Sequence, residues 1–309
     1  MTSSVSAPSG ISVCIATYRR LDRLAALLSD LARQTLLPTE VTVVDNDAAG
    51  SAEPVVQEFL KAHAQFPIRY AVQPQKNISL TRNRTIELAG CEWLAFVDDD
   101  ERAPEDWLAK LVAAAAQYRA DGVLGPVDPV VPAEAPAWIR RGRFYDFPRM
   151  ATGAVVPPNR LRFGNVLLRG ELVRALGQPF DPAYGLTGGE DGDLLSRMTL
   201  RGARIVWCDE AIVHEPIERS RLSLAWLLRR SLRGGQDFAR HTLTGRYGPR
   251  PGGRVRLFAR ALVQLLVASG LSLVVLPLGR HHAALWLTKA SANLGKLSIF
   301  LGWHYREYA

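Results

Sequence analysis

Three consecutive carboxylates, Asp98, Asp99 and Asp100, follow directly on the apolar run Trp93–Val97. Adjacent carboxylates repel one another and are costly to hold together without a cation. Oxygen-only donor sets suit hard ions, so the triplet is a candidate site for Mg²⁺ or Mn²⁺. An ion held there neutralises charge on a leaving nucleoside diphosphate. The plain alternative is a solvated acidic turn; a position at the end of an apolar strand argues against it. A second acidic cluster, Gly188-Gly189-Glu190-Asp191-Gly192-Asp193, opens an amphipathic helical pattern. Its glycines permit tight turns. Asp191 or Asp193 suits a helix N-cap, and a carboxylate beside a reacting hydroxyl suits a general base. The two roles are compatible.

Elements that can position these clusters are visible in the hydrophobic pattern. Ile11–Thr17, Val41–Val44, Ile68–Val72 and Trp93–Val97 read as strands. Between them lie helical patterns at Leu21–Gln34, Pro54–Ala64 and Ser79–Ala89; the first carries Leu24, Leu27, Leu28 and Leu31 at helical spacing. This β-α-β-α order predicts a mainly parallel sheet with helices on both faces. Ligands bind such sheets at the carboxyl ends of the strands, where Asp45 and Asp98–Asp100 fall. Asp106–Tyr118 reads as a further helix, and Gly125–Pro158, rich in Pro, Gly and Arg, as a long loop or lid. Phe163–Leu168 reads as a strand, Gly170–Leu176 and Asp191–Arg201 as helices, and Ile205–Cys208 and Ala211–His214 as closing strands.

The chain has 309 residues, 48% of them apolar, and a formal net charge of +8. It can bury a real core, and its charge favours anionic partners: nucleotides, nucleic acid or anionic lipid. From Arg219 to Arg260 there are eleven arginines and one acidic residue, Asp237. Cys14, Cys91 and Cys208 are scattered and apolar in context, which predicts buried reduced thiols and a reducing, cytoplasmic setting. Met1–Gly10 reads as a frayed leader. A helix is expected from Leu222 to about Thr242, then a Gly/Arg/Pro connector, Gly245–Gly253. Ala261–Gly279 carries no charge and would be about 28 Å long as a helix, close to the roughly 30 Å of a bilayer core. With Gln264, Ser269, Gly270 and Pro277 in it, a re-entrant or surface-lying helix pair, or a hairpin packed on the catalytic domain, is the alternative to a span. Ala284–Leu301 reads as amphipathic, with Leu287, Ala290, Leu294, Leu297 and Leu301 on one side and Lys289, Asn293 and Lys296 on another. Trp286, Trp303 and Tyr305 suit an interface.

The order ISVCIATYRR, VTVVDND, LTRNRTIELAGCEWLAFVDDDE and FGNVLLRGELVRALGQPFDPAYGLTGGEDGDLLSRMTLRGARIVW resembles glycosyltransferase family 2 from about Ile11 to about Pro216. Each motif is short; their joint order and spacing carry the resemblance. It implies an α/β fold of the nucleotide-diphospho-sugar transferase type, GT-A, over 11–218; the residues beyond it predict a helical, membrane-associated appendage over 219–309. It also implies an inverting glycosyltransferase that uses Mg²⁺ or Mn²⁺. By position, Thr17 and Tyr18 would line the nucleotide pocket. Asp45 would hydrogen-bond the base, uracil by expectation, and Arg82 would contact the nucleotide. Asp98 would lie near the ribose and metal, Asp99 beside them in the donor site, and Asp100 would ligate the metal. Asp191, with Glu190 beside it, would be the acceptor base, and His214 would reach the metal or diphosphate. One base and no enzyme nucleophile implies a single displacement and inversion. The expected partners are a nucleotide-sugar donor, a saccharide or polyprenyl-diphosphate-linked acceptor, and membrane lipid at the cytoplasmic face of the cell membrane.

Other classes fit less well. A dehydrogenase needs GxGxxG after the first strand, and a sugar-nucleotide pyrophosphorylase a Gly-rich phosphate loop; the chain has ATYRRLDR there. The arginines lie beside apolar helices rather than aromatics on a sheet, which favours lipid over nucleic acid. A non-catalytic nucleotide-sugar-binding protein of the same fold is the alternative to an enzyme, and retention of every expected acidic position argues against it.

Overall fold

The computed structural model describes residues 10–63, 65–248 and 252–307. The leader, up to residue 9, and residues 249–251 of the connector lie outside them. In chain order the elements are β1 (Ile11–Thr17), α1 (Leu21–Ala32), β2 (Glu40–Asp45), α2 (Glu53–Ala62), β3 (Ile68–Val72), α3 (Ile78–Leu88), β4 (Trp93–Val97), α4 (Trp107–Gln117), β5 (Gly122–Leu124), β6 (Val127–Val130), α5 (Ala137–Gly142), β7 (Asn165–Arg169), α6 (Gly170–Arg174), α7 (Glu190–Leu200), β8 (Ile205–Trp207), β9 (Val213–Pro216), α8 (Leu224–Leu243), α9 (Gly253–Val274) and α10 (Arg280–Ser298).

The main sheet has the order β3-β2-β1-β4-β7-β5-β8. Its first four strands are parallel. β7 runs antiparallel between β4 and β5, so the sheet is mixed. Alternation along β1 serves two cores, as a sheet covered on both faces requires. Val13 and Ile15 join Leu24, Leu27, Leu28 and Leu31 of α1, while Cys14 joins Phe96, Leu168 and Phe180 on the other face. Because β1, β2 and β4 are parallel, Thr17, Asp45 and Val97 end at one edge, where the acidic triplet begins.

The segment expected to be a long loop holds β6 and α5. β6 pairs with β9 in a second, two-stranded parallel sheet. Ile139 and Tyr145 bury against Ile217 and Leu227. Three helices close the chain, with α10 packed against both α8 and α9. The seam between α8 and α10 is made of small residues. A Cβ at Gly235 would strike the Ala292 carbonyl, and one at Gly295 would strike that of Leu232. This corrects the expected amphipathic stripe: Asn293 is buried, whereas Leu294 and Leu301 are exposed. Backbone contact at the seam leaves no room for leucine there.

Cys14, Cys91 and Cys208 are free thiols; Cys14 and Cys208 are buried and Cys91 is partly covered. Burial pushes the Cys14 thiol up to about 12, so it stays protonated and inert.

Candidate active site

A cleft of about 540 Å³ opens at the carboxyl edge of β1 and β4. Thr17, Tyr18 and Asn46 line one wall; Glu190, Asp191 and Asp237 line another; Asp98–Asp100 lie between. A wider groove of about 820 Å³ lies between α3 and α6, and none of the candidate site residues lines it.

Arg82 joins the two acidic clusters. Asn77 caps α3 by accepting from the Leu80 N–H at 3.0 Å, which places Arg82 in the second turn, beneath the cleft. Its Nη1 donates to Glu190 at 2.7 Å and its Nη2 to Asp98 at 2.9 Å. Its guanidinium also lies over the rings of Phe163 and Phe180, at 4.8 and 5.7 Å. Glu190 is buried, and burial raises its carboxyl to about 7. Replacing Arg82 with Met is expected to cost about 3–5 kcal/mol, the scale for stripping the partner from a buried carboxylate. Lysine should not restore it, since a point charge cannot fork to two carboxylates. Urea midpoints of the three proteins test this, and an unchanged midpoint for Arg82→Met would remove the bridge from the argument.

The triplet is held by arginines. Asp99 is buried, accepts from the Thr17 hydroxyl and from Arg20, both at 2.8 Å, and burial raises it to about 6. Asp100 lies 3.1 Å from Arg20, 3.5 Å from Arg23 and 3.1 Å from Arg221. Arg221 also contacts Glu215, whose carboxyl burial raises. Glu101, buried and accepting from the Asp98 N–H, is pushed well above the usual carboxylate range by burial and then by Asp98 and Asp100. Among the described residues no three His, Cys, Asp or Glu side chains form a ready metal cage. The donor chemistry still fits a hard cation: Asp98 and Asp100 offer carboxylate oxygens in a place where buried acids crowd one another.

The loop before α7 takes its shape from glycine. Gly188 and Gly189 have φ of +83° and +94°, a region that side chains strain to enter. Gly189 is the N-cap residue, so Asp191 and Asp193 sit inside the first turn rather than capping it. Asp191 lies on the cleft; its Oδ1 accepts from the Gly192 N–H at 2.7 Å. Asp193 points away, fully buried between Arg197 and Arg246.

α8 grips this loop from the outside. Arg240 donates to the Thr187 hydroxyl at 2.7 Å, and His241 Nε2 lies 3.0 Å from the Gly189 carbonyl. Asp237 packs against Gly189, and burial raises its carboxyl to about 7. Sequence reasoning did not single out Asp237 for the site. The signal was present, since it is the lone acid among eleven arginines.

Two expected residues stand apart from the cleft. Asp45 is fully buried, and its oxygens accept from the Asp47 and Ala52 N–H groups and the Tyr70 hydroxyl. Asp45 does not line the cleft; the next residue, Asn46, does, with its amide bonded to Gln73, Gln75 and Asn77. His214 pairs through its backbone with Arg102. The next residue on the strand, Glu215, is the one that lines the cleft. His214 and Glu215 are successive residues of β9, and strand alternation sends such neighbours to opposite faces. Thr17, Tyr18, Arg82, Asp98, Asp99, Asp100, Glu190 and Asp191 all line the cleft.

A mixed sheet with acid-bearing strand ends and a helix-borne Glu-Asp pair defines the class of a GT-A nucleotide-sugar transferase. The sequence profile of glycosyl transferase family 2 matches residues 12–169, and the chain belongs to that family and is a glycosyltransferase. The succinoglycan biosynthesis protein ExoM of Rhizobium meliloti (strain 1021) is 39% identical over 236 residues, 74% of each chain. Among solved structures, the mannosyltransferase PcManGT from Pyrobaculum calidifontis, bound to GDP-Man and Mn²⁺, superposes with a TM-score of 0.67 at 17% identity, over 95% of this chain and 88% of that one. Residues 1–349 of TarS from S. aureus, bound to UDP, give 0.55 at 18% identity, over 96% and 93%.

Proposed function

We propose that this chain moves a sugar from a nucleotide-sugar donor, a UDP-sugar, onto a saccharide or lipid-linked acceptor in cell-surface polysaccharide synthesis, with inversion at the anomeric carbon. The observation that carries the reading is the Arg82 bridge, which puts Asp98 and the Glu190–Asp191 pair in one cleft. Thr17 and Tyr18 offer the nucleotide a hydroxyl and an aromatic face at the end of β1. Asp191, open to the cleft, accepts the acceptor's proton as its oxygen attacks; Glu190 is committed to Arg82. Mg²⁺ or Mn²⁺ held by Asp98 and Asp100 would supply charge neutralisation to the leaving diphosphate. ExoM's part in succinoglycan biosynthesis supports a polysaccharide product.

Turnover of a panel of nucleotide sugars with saccharide and lipid-linked acceptors, with product anomers assigned by NMR, tests the proposal. Transfer with inversion from one donor is the expected result. Donor binding without transfer to any acceptor, or a retained anomer, would overturn it.

The same reading places the protein at the cytoplasmic face of the membrane. α9 is the one described helix long and apolar enough to cross a bilayer. Leu266 and Leu273 on it are 65% and 72% exposed, more apolar surface than a soluble chain leaves bare. Full-length protein is expected in the membrane pellet, and Leu266→Glu with Leu273→Glu should shift most of it to the supernatant. Wild-type protein that stays monodisperse without detergent would sink this placement.

A further inference from the structure

Arg162 and Arg230 face the cleft with no direct ion pair among the described residues, although the carboxylates of Glu101 and Glu215 act on them from further off. Arg162 precedes β7, and Arg230 lies on α8; both line the cleft. Their guanidiniums rest on the same ring, that of Phe147, at 4.1 and 5.6 Å. Arg162 also lies over Trp207 and Arg230 over Trp226. Neither makes an ion pair with a carboxylate among the described residues, although Arg149, close by, is paired with Asp128 and Asp209. The Nη2 of Arg162 is buried with no hydrogen-bond partner. Burial pulls Arg162 down to about 10 and also lowers Arg230. An orphaned donor and two desolvated cations in an open cleft are costly unless a ligand answers them.

The geometry points to a subsite in which Arg162 and Arg230 bind a phosphoryl anion, the phosphate or diphosphate carried by the acceptor. This rests on the reading of the cleft as a sugar-transfer site. Two guanidiniums call for more charge than one carboxylate carries, and their planar forks match phosphate oxygens. The acceptor side is indicated by α8. Arg230 and Asp237 are seven residues apart on it, two turns or about 10 Å along the axis. Asp237 lies against Gly189 in the loop that carries Asp191. An anion at Arg230 is therefore held by the same helix that holds the loop of the general base. The nucleotide wall, Thr17, Tyr18 and Asn46, belongs to other elements.

The test is binding of geranyl diphosphate to the full-length protein in detergent at saturating UDP, for wild type and for Arg162→Gln with Arg230→Gln. The double variant is expected to weaken geranyl diphosphate at least about tenfold, the scale of losing charge-assisted hydrogen bonds, and to leave UDP affinity within about twofold. Retained UDP binding also shows that the variant is folded. Inorganic pyrophosphate, titrated in parallel, separates the sources: weaker binding than geranyl diphosphate assigns the anion to a lipid carrier, equal binding to a phosphorylated sugar, and both keep the subsite. Loss of UDP affinity with geranyl diphosphate unaffected would assign the pair to the donor and overturn the inference. So would no binding of either diphosphate while UDP is bound. Failure of the wild type to bind UDP would strike the transferase reading itself instead.

Discussion

Asp191→Asn is expected to lower turnover about a hundredfold or more, the usual cost of a lost general base, while UDP affinity changes little. Asparagine keeps the size of the side chain and can still accept from the Gly192 N–H, as Asp191 does at 2.7 Å. It cannot take a proton. The glycine turn and the grip of α8 hold the backbone in place, so the effect should be chemical rather than structural. Glu190 is a poor substitute base because Arg82 occupies one of its oxygens and the other is buried without a partner. Stopped-flow turnover beside calorimetric UDP binding separates the possibilities. Near-normal turnover with weakened UDP binding would put Asp191 on the donor side.

Excess chelator is expected to cost turnover at least about a hundredfold, restored by Mg²⁺ or Mn²⁺, since a cation on a leaving diphosphate contributes several kcal/mol. Asp100→Asn should produce a loss of the same order that no metal concentration repairs. Asp100 faces Arg20, Arg23 and Arg221, so the variant also loosens Arg221, which comes from the segment leading into α8. Circular dichroism and UDP binding of the variant control for that loosening. Full activity of wild-type enzyme in chelator would show that the arginines alone neutralise the diphosphate.

The strands β1, β3 and β4 were legible to the residue because each is a short run dominated by apolar and β-branched residues between polar loops, broken only by Ser12 and Arg69. β5, β6 and α5 were not. β5 is three residues long, β6 carries Pro129, and α5 spans six residues, Ala137–Gly142. Elements this short owe their form to tertiary neighbours rather than to periodicity. In the site, clustered carboxylates announced themselves by composition. Their partners did not, because Arg82 meets Glu190 across 108 residues and no local pattern encodes that pairing. Asp45 and His214 do not line the cleft, whereas their neighbours Asn46 and Glu215 do. The sequence marks where a strand ends, but which of two adjacent side chains turns inward depends on register.

The composition changes after Pro216, and side-chain contacts run back across that point. α8 holds the loop of the proposed base, Asp191, through Asp237, Arg240 and His241, and Arg246 just beyond it reaches the buried Asp193. On its opposite side α8 meets α10 backbone to backbone at Gly235 and Gly295. These contacts couple the C-terminal helices to the loop that opens α7. Cutting the chain before α9 would peel α10 from α8 and slacken the base before the sheet lost any core contact. Such a truncation is expected to lower turnover as an active-site mutation would.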